Sequence, residues 1–157
     1  MIFVTAGTEQ YPFERLLRAV DDLPGDEELV VQSRADPARP GRAVYVQELA
    51  YAQLVAEVRR ARVLVCHAGV GSIMTALAND RHPVVVPRLQ RYGEHVDDHQ
   101  LLFGRRLAEA GLVTLVEDPA RLAAAVASPA PEWRQHGNAN RLARDLRATL
   151  EQLVYSR

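Results

Sequence analysis

The chain has 157 residues, 48% hydrophobic and 25% charged, with a formal net charge of −1. That suits one globular domain able to bury its own core, and the even charge balance excludes a partner held by bulk electrostatics, nucleic acid first among them. The single cysteine, Cys66, excludes an internal disulfide and points to a reducing, cytoplasmic compartment.

Met1 to Thr5 reads as a first strand rather than a signal peptide, and no apolar run reaches the length of a membrane span. Ile2 to Ala6 is that strand, turned by Gly7-Thr8. Pro12 suits the first position of a helix whose apolar face is Phe13, Leu16, Leu17 and Val20, running to Leu23 before Pro24-Gly25. Glu28 to Ser33 and Ala43 to Gln47 are predicted strands around a Pro/Gly loop at 36–42. Tyr51 to Ala61 has helical spacing.

Val63-Leu64-Val65-Cys66-His67 is an apolar β-branched run that reads as a buried parallel strand. Ala68-Gly69-Val70-Gly71 follows, and then Ser72 as the expected N-cap of a helix through Ile73 to Leu77. Pro83 to Pro87 is a Val-rich strand, Arg88 to Val96 a polar loop, and Asp97 to Ala110 a helix closed by Gly111. Leu112 to Val116 is the last strand and Pro119 to Ala127 a helix. After Pro129 to Pro131, residues 137–155 form a final helix with leucines on one stripe and Arg141, Arg144 and Arg147 on another. That helix packs on its own domain or is a docking element for another chain, a second copy of this one included.

Strands alternating with helices imply a Rossmann-like α/β domain over residues 1–157, a parallel sheet with helices on both faces. Such sheets bind ligands beyond the carboxyl ends of their strands. Three loops leave in that direction, 7–11, 67–72 and 88–96, all rich in polar and glycine residues. A strand, a glycine turn and a helix N-terminus together make an anion site, because close backbone approach brings unpaired N–H groups and the positive end of the helix dipole to the ligand.

The finer signals narrow the chemistry. Gly69-Val70-Gly71 lacks the third glycine of a dinucleotide fingerprint, since Met74 stands in its place. There is no GxxxxGK[ST], and Ser72 lacks the glycine two residues on that a nucleophile elbow needs. A strand-end histidine by itself is usually a buried one bonded to backbone. Beside two glycines and a helix start, His67 is instead expected to donate to a phosphate oxygen and stabilise a leaving diphosphate. In Gly93 to Gln100, Asp97 and Asp98 read as cap and first-turn acids, and His95 and His99 flank a helix start without sharing an interior face. No metal site is therefore expected there. Gln100 with Asp98 is expected to hydrogen-bond ligand hydroxyls, with Glu94 and His95 at the rim.

The markers Val4-Thr5-Ala6-Gly7-Thr8 with Pro12-Phe13-Glu14-Arg15-Leu16, His67-Ala68-Gly69-Val70-Gly71-Ser72, and Pro87-Arg88 with Gly93-Glu94-His95 and Asp97-Asp98-His99-Gln100 occur in that order. Together they resemble the glycosyltransferase family 28 C-terminal domain, the nucleotide-sugar-binding half of GT-B glycosyltransferases, over nearly the whole chain. Within it they look most like the small free-standing subunits of two-component bacterial exopolysaccharide enzymes. Those are related to the catalytic subunit of the transferase that adds the second N-acetylglucosamine to dolichol-linked chitobiose.

The resemblance implies that Gly7 and Thr8 face the diphosphate, that His67 and the backbone from Ala68 through Gly69, Val70 and Gly71 to Ser72 hold the phosphates, and that Gln100 and Asp98 bind the donor sugar. The backbone around Val46 would read the uracil. Many relatives carry a Glu at the position of Thr75 to bond the ribose, and threonine offers a shorter and weaker bond. The implied function is the donor-binding, catalytic subunit of an inverting UDP-sugar-dependent hexosyltransferase in exopolysaccharide or glycolipid synthesis, with no cofactor and no essential metal. A membrane-associated partner would supply the lipid-linked saccharide acceptor and the general base, so the chain would lie at the inner face of the membrane through that partner. The alternative is a non-catalytic GT-B-like scaffold that stabilises its partner.

Overall fold

The computed structural model describes residues 1–34 and 41–128; the expected helix at 137–155 and positions 36–40 of the expected loop at 36–42 lie outside them. The described residues contain one parallel sheet of β1 (Ile2–Thr5), β2 (Leu29–Gln32), β3 (Val44–Val46), β4 (Val63–His67), β5 (Val84–Val86) and β6 (Thr114–Leu115). Its spatial order is β3-β2-β1-β4-β5-β6. The connecting helices are α1 (Glu14–Asp21), α2 (Tyr51–Arg60), α3 (Val70–Ala78), α4 (His99–Glu109) and α5 (Leu122–Ala127).

Strand periodicity sorts these helices onto two faces. Ile2, Val4, Val31, Val65 and Val86 point to one side and pack with Leu16, Leu17 and Val20 of α1 and Leu122 and Val126 of α5. On the opposite side Phe3, Val30 and Leu64 meet Val58 of α2 and Ala76 of α3. Farther along that side, Cys66 and Val85 meet Ile73 and Leu77 of α3 and Phe103 and Leu107 of α4. The central strands are apolar throughout because both of their faces are covered.

Several element ends differ from expectation, each for a traceable reason. Pro12 does not open α1, which starts at Glu14 after Phe13 as N-cap. The Arg88 guanidinium takes the Tyr11 and Pro12 carbonyls at 2.9 and 3.4 Å and lies 4.6 Å over the Phe13 ring, which holds this segment outside the helix. Ser72 does not cap α3, whose N-cap is Gly69 in extended conformation. Gly111 follows α4 with φ +70°, the left-handed conformation expected of it. Before α5, Pro119–Arg121 forms a separate 3₁₀ turn whose Asp118 carboxylate accepts the Ala120 N–H at 3.0 Å.

β1 and β4 are adjacent, with Thr5 opposite Cys66. The chain leaves β1 for β2 on one side, and leaves β4 for β5 on the other. Their carboxyl ends therefore frame the switch point of the sheet, where loops diverge and leave a crevice.

Candidate functional site

His67 ends β4 at that switch point and is 8% exposed. Two backbones close on its imidazole. A Cβ at Gly69 would stand 2.1 Å from its Cε1, and one at Gly7 would stand 2.5 Å from its Nε2. Gly7 also has φ +81°, so glycine is required there twice over. The ring Nε2 lies 3.1 Å from Ser72 Oγ, while Nδ1 is buried with no hydrogen-bond partner among the described residues. Burial pushes the imidazole down to about 4, the nearby Arg88 charge and His95 add to this, and the Gln100 side chain opposes it. His67 is neutral at pH 7.

The first turn of α3 is open. No side chain caps it, and the Ile73 N–H is the first to bond back into the helix, to the Gly69 carbonyl at 3.1 Å. The N–H groups of Val70, Gly71 and Ser72 are the orphan donors of a helix N-terminus. Val70 is 42% exposed, and a Cβ on Gly71 would meet open space. Ala68 is buried beneath the turn.

Sequence reading gave Arg88 no role, yet it organises the floor of the site. It is 2% exposed, and its guanidinium donates to the carbonyls of Ala6 at 2.7 Å, Tyr11 at 2.9 Å and Glu94 at 3.2 Å. These direct partners are neutral carbonyls; burial lowers its proton affinity, and the charges of Glu94 and Glu9 raise it. The one available signal was its place, directly after an apolar strand and its Pro87.

Glu94 is not at the rim. It is 2% exposed and accepts from Arg15 Nε at 3.0 Å, Arg15 Nη2 at 2.9 Å and the Leu89 N–H at 2.9 Å. Arg15 also donates to the Pro87 and Glu117 carbonyls at 2.8 and 3.0 Å. This planar pair ties α1 to the loop after β5. A groove of about 680 Å³ lies on its outer side, between α1 and the Asp118–Ala123 segment, and contains none of the expected phosphate-binding residues.

The other expected residues divide. Gln100 is buried, with its Oε1 on the Arg88 N–H at 3.2 Å. Asp98 is the N-cap residue of α4, but its carboxylate accepts the Gln90 N–H at 2.8 Å and makes no cap bond. Asp97 stands before the helix, where its carboxylate takes the His99 N–H at 3.1 Å. Thr75 is buried and its hydroxyl donates to the Gly71 carbonyl at 2.8 Å, inside its own helix. Thr8 is exposed, and its carbonyl accepts from Arg34 at 3.3 Å. Val46 lies in β3 at the sheet edge, three strands from β4, with its carbonyl on the Ser33 N–H at 2.9 Å.

His95 and His99 do come together, against expectation. Their rings meet edge to face with centroids 4.6 Å apart, across a segment that bends from 94 to 98. His95 also faces Tyr11 of the first loop, centroids 6.1 Å apart.

A neutral imidazole, an uncapped helix start and the charge of a buried guanidinium come together at one crevice, an arrangement suited to an anionic group. Comparisons with known proteins agree with the architecture. A search of the curated proteins found no match. Among solved structures, the chain resembles a glycosyltransferase of kitacinnamycin at 23% identity and TM-score 0.60, over 97% of this chain and 41% of that one. It also resembles CalG4, the calicheamicin glycosyltransferase, at 18% identity and TM-score 0.62, over 99% and 39%. At these identities the likeness is one of fold, and the chain spans about two-fifths of the length of the enzymes it matches. The glycosyltransferase family 28 C-terminal domain model matches residues 1–148, so the chain belongs to that family and carries the fold of a GT-B C-terminal half.

Proposed function

We propose that this chain is the donor-binding, catalytic half of an inverting glycosyltransferase that moves a hexosyl group from a UDP-sugar. The observation that carries this reading is the enclosure of neutral His67 between the Gly7 and Gly69 backbones, beside the open α3 N-terminus and in the field of Arg88. A diphosphate placed there meets backbone N–H donors and a fixed positive charge as negative charge grows on the leaving group. These groups belong to the chain itself, and no metal is essential to the step. In this proposal Gln100 and Asp98, whose side chains accept the Arg88 and Gln90 N–H groups, bind the donor sugar.

The acceptor side and the general base come from a second polypeptide in this proposal. That partner is membrane-associated and presents a lipid-linked saccharide, as in the exopolysaccharide and glycolipid systems the motifs resemble, and it brings the chain to the inner membrane face. No described helix is long and apolar enough to cross a membrane.

The test is thermal unfolding with UDP and UDP-sugars at millimolar concentration. Stabilisation in the wild type that is lost in His67→Ala supports the donor site. No response to any uridine nucleotide overturns it. One observation favours the scaffold reading instead: the Thr75 hydroxyl is spent on the Gly71 carbonyl, which weakens its offer to a ribose. That reading requires His67→Ala to retain full transfer with the partner present.

A further inference from the structure

The loop before α4 carries a His-x-Asp-x-His sequence, His95, Asp97 and His99. One ligand atom from each lies within 4.8 Å of the others. His95 Nδ1 is 3.4 Å from Asp97 Oδ1, and His99 Nδ1 contacts the same oxygen. The first separation equals the edge of a tetrahedron whose ligands stand about 2.1 Å from its centre, the zinc–nitrogen and zinc–oxygen distance; the second is a hydrogen bond, so the exposed His99 ring must turn off the Asp97 oxygen to share a metal with it. His95 Nδ1 is buried without a hydrogen bond of its own. The Asp97 carboxylate is held by the His99 N–H at 3.1 Å, the kind of support that orients a metal ligand.

We propose that His95, Asp97 and His99 bind a divalent transition metal of the zinc type at the rim of the crevice. Two imidazoles and one carboxylate favour zinc, nickel or copper over magnesium and calcium, which take oxygen ligands. Three protein ligands leave a fourth position for water. Metal would join the loop after β5 to the first turn of α4, cross-linking residues that no apolar core holds. Val96, between two of the ligands, is 59% exposed. The site stands on these three side chains and does not rest on the donor chemistry proposed above, although it adjoins the Asp98 and Gln100 side chains assigned there to the sugar.

The experiment uses the whole chain, stripped with chelator and dialysed, and titrated with zinc sulfate alone by calorimetry at neutral pH. The expected result is one saturable site per chain, a melting temperature raised by zinc but not by magnesium, and an affinity reduced by about tenfold or more in Asp97→Asn and in His99→Ala. Both variants are at exposed positions and should fold, which circular dichroism checks. Absence of saturable zinc binding overturns the proposal. So does unchanged affinity in both variants, which would place the zinc outside this cluster. UDP stabilisation measured in chelator reports on the donor site separately, so either reading can fail alone.

Discussion

A methyl group on Gly69 would sit 2.1 Å from Cε1 of His67, well inside any allowed contact. The neighbour that must give way is a ring itself enclosed by Gly7, so the clash has no soft side. Gly69→Ala should therefore displace the imidazole and destabilise the fold by roughly 1–3 kcal/mol, the cost of overpacking. Denaturant unfolding measures the loss, and unchanged stability would mean that the turn relaxes freely. The variant should also lose its response to UDP.

His67 supplies a pH dependence with a definite sign. Its folded value of about 4 is below the ordinary 6.5, so the unfolded state binds the proton more readily. The stability this contributes is fully present above about pH 6.5 and is lost as pH falls toward 4. At full extent that is about 3 kcal/mol. His82 is also lowered by burial and acts in the same direction. The informative quantity is thus the difference between wild type and His67→Gln across pH 4 to 7, where the variant should show the shallower fall. Parallel curves would contradict the buried, neutral imidazole.

Glu94 invites a different test, since its side chain is spent on structure. In Glu94→Ala the Arg15 guanidinium loses both carboxylate bonds and the buried Leu89 N–H is orphaned. Breaking a largely buried pair from one side costs roughly 3–5 kcal/mol. A double-mutant cycle with Arg15→Met should recover part of that, because the second change removes the stranded charge. Strict additivity would show that the two side chains do not act together.

The strands and the crevice were readable in the chain because their causes are local. Val63 to Cys66 is an unbroken apolar run, and the glycines after His67 announce a close backbone approach. The parallel sheet with helices on both faces follows from that alternation. The end of the α3 turn was less readable: Ser72 is a good N-cap residue, yet the His67 ring pulls its hydroxyl into the site, and the helix begins at the glycine. Arg88 and Glu94 were opaque for another reason. Their partners Ala6, Tyr11 and Arg15 lie more than seventy residues away in sequence, and no periodicity encodes such a pairing. A buried charge in a polar loop looks like a solvated one until the fold closes over it. The contact of His95 with His99 was hidden for a local reason, since it depends on how the segment bends between 94 and 98.

Gly71 separates ligand approach from fold requirement more cleanly than any other position. It lies inside the first turn of α3 with an ordinary helical place, and a Cβ there would meet nothing within 4 Å. The fold has no use for glycine at that position. Gly71→Ala should leave stability unchanged or raise it by roughly 0.5–1 kcal/mol, the helix-propensity gain of alanine over glycine. If the open N–H groups of Val70 to Ser72 cradle a diphosphate, the added methyl stands in its path, and UDP should bind more weakly. Calorimetry and thermal unfolding on the same preparation measure both effects. A more stable protein with weaker UDP binding supports the cradle at this turn. Undiminished UDP affinity would move the phosphates away from it, whatever happens to stability.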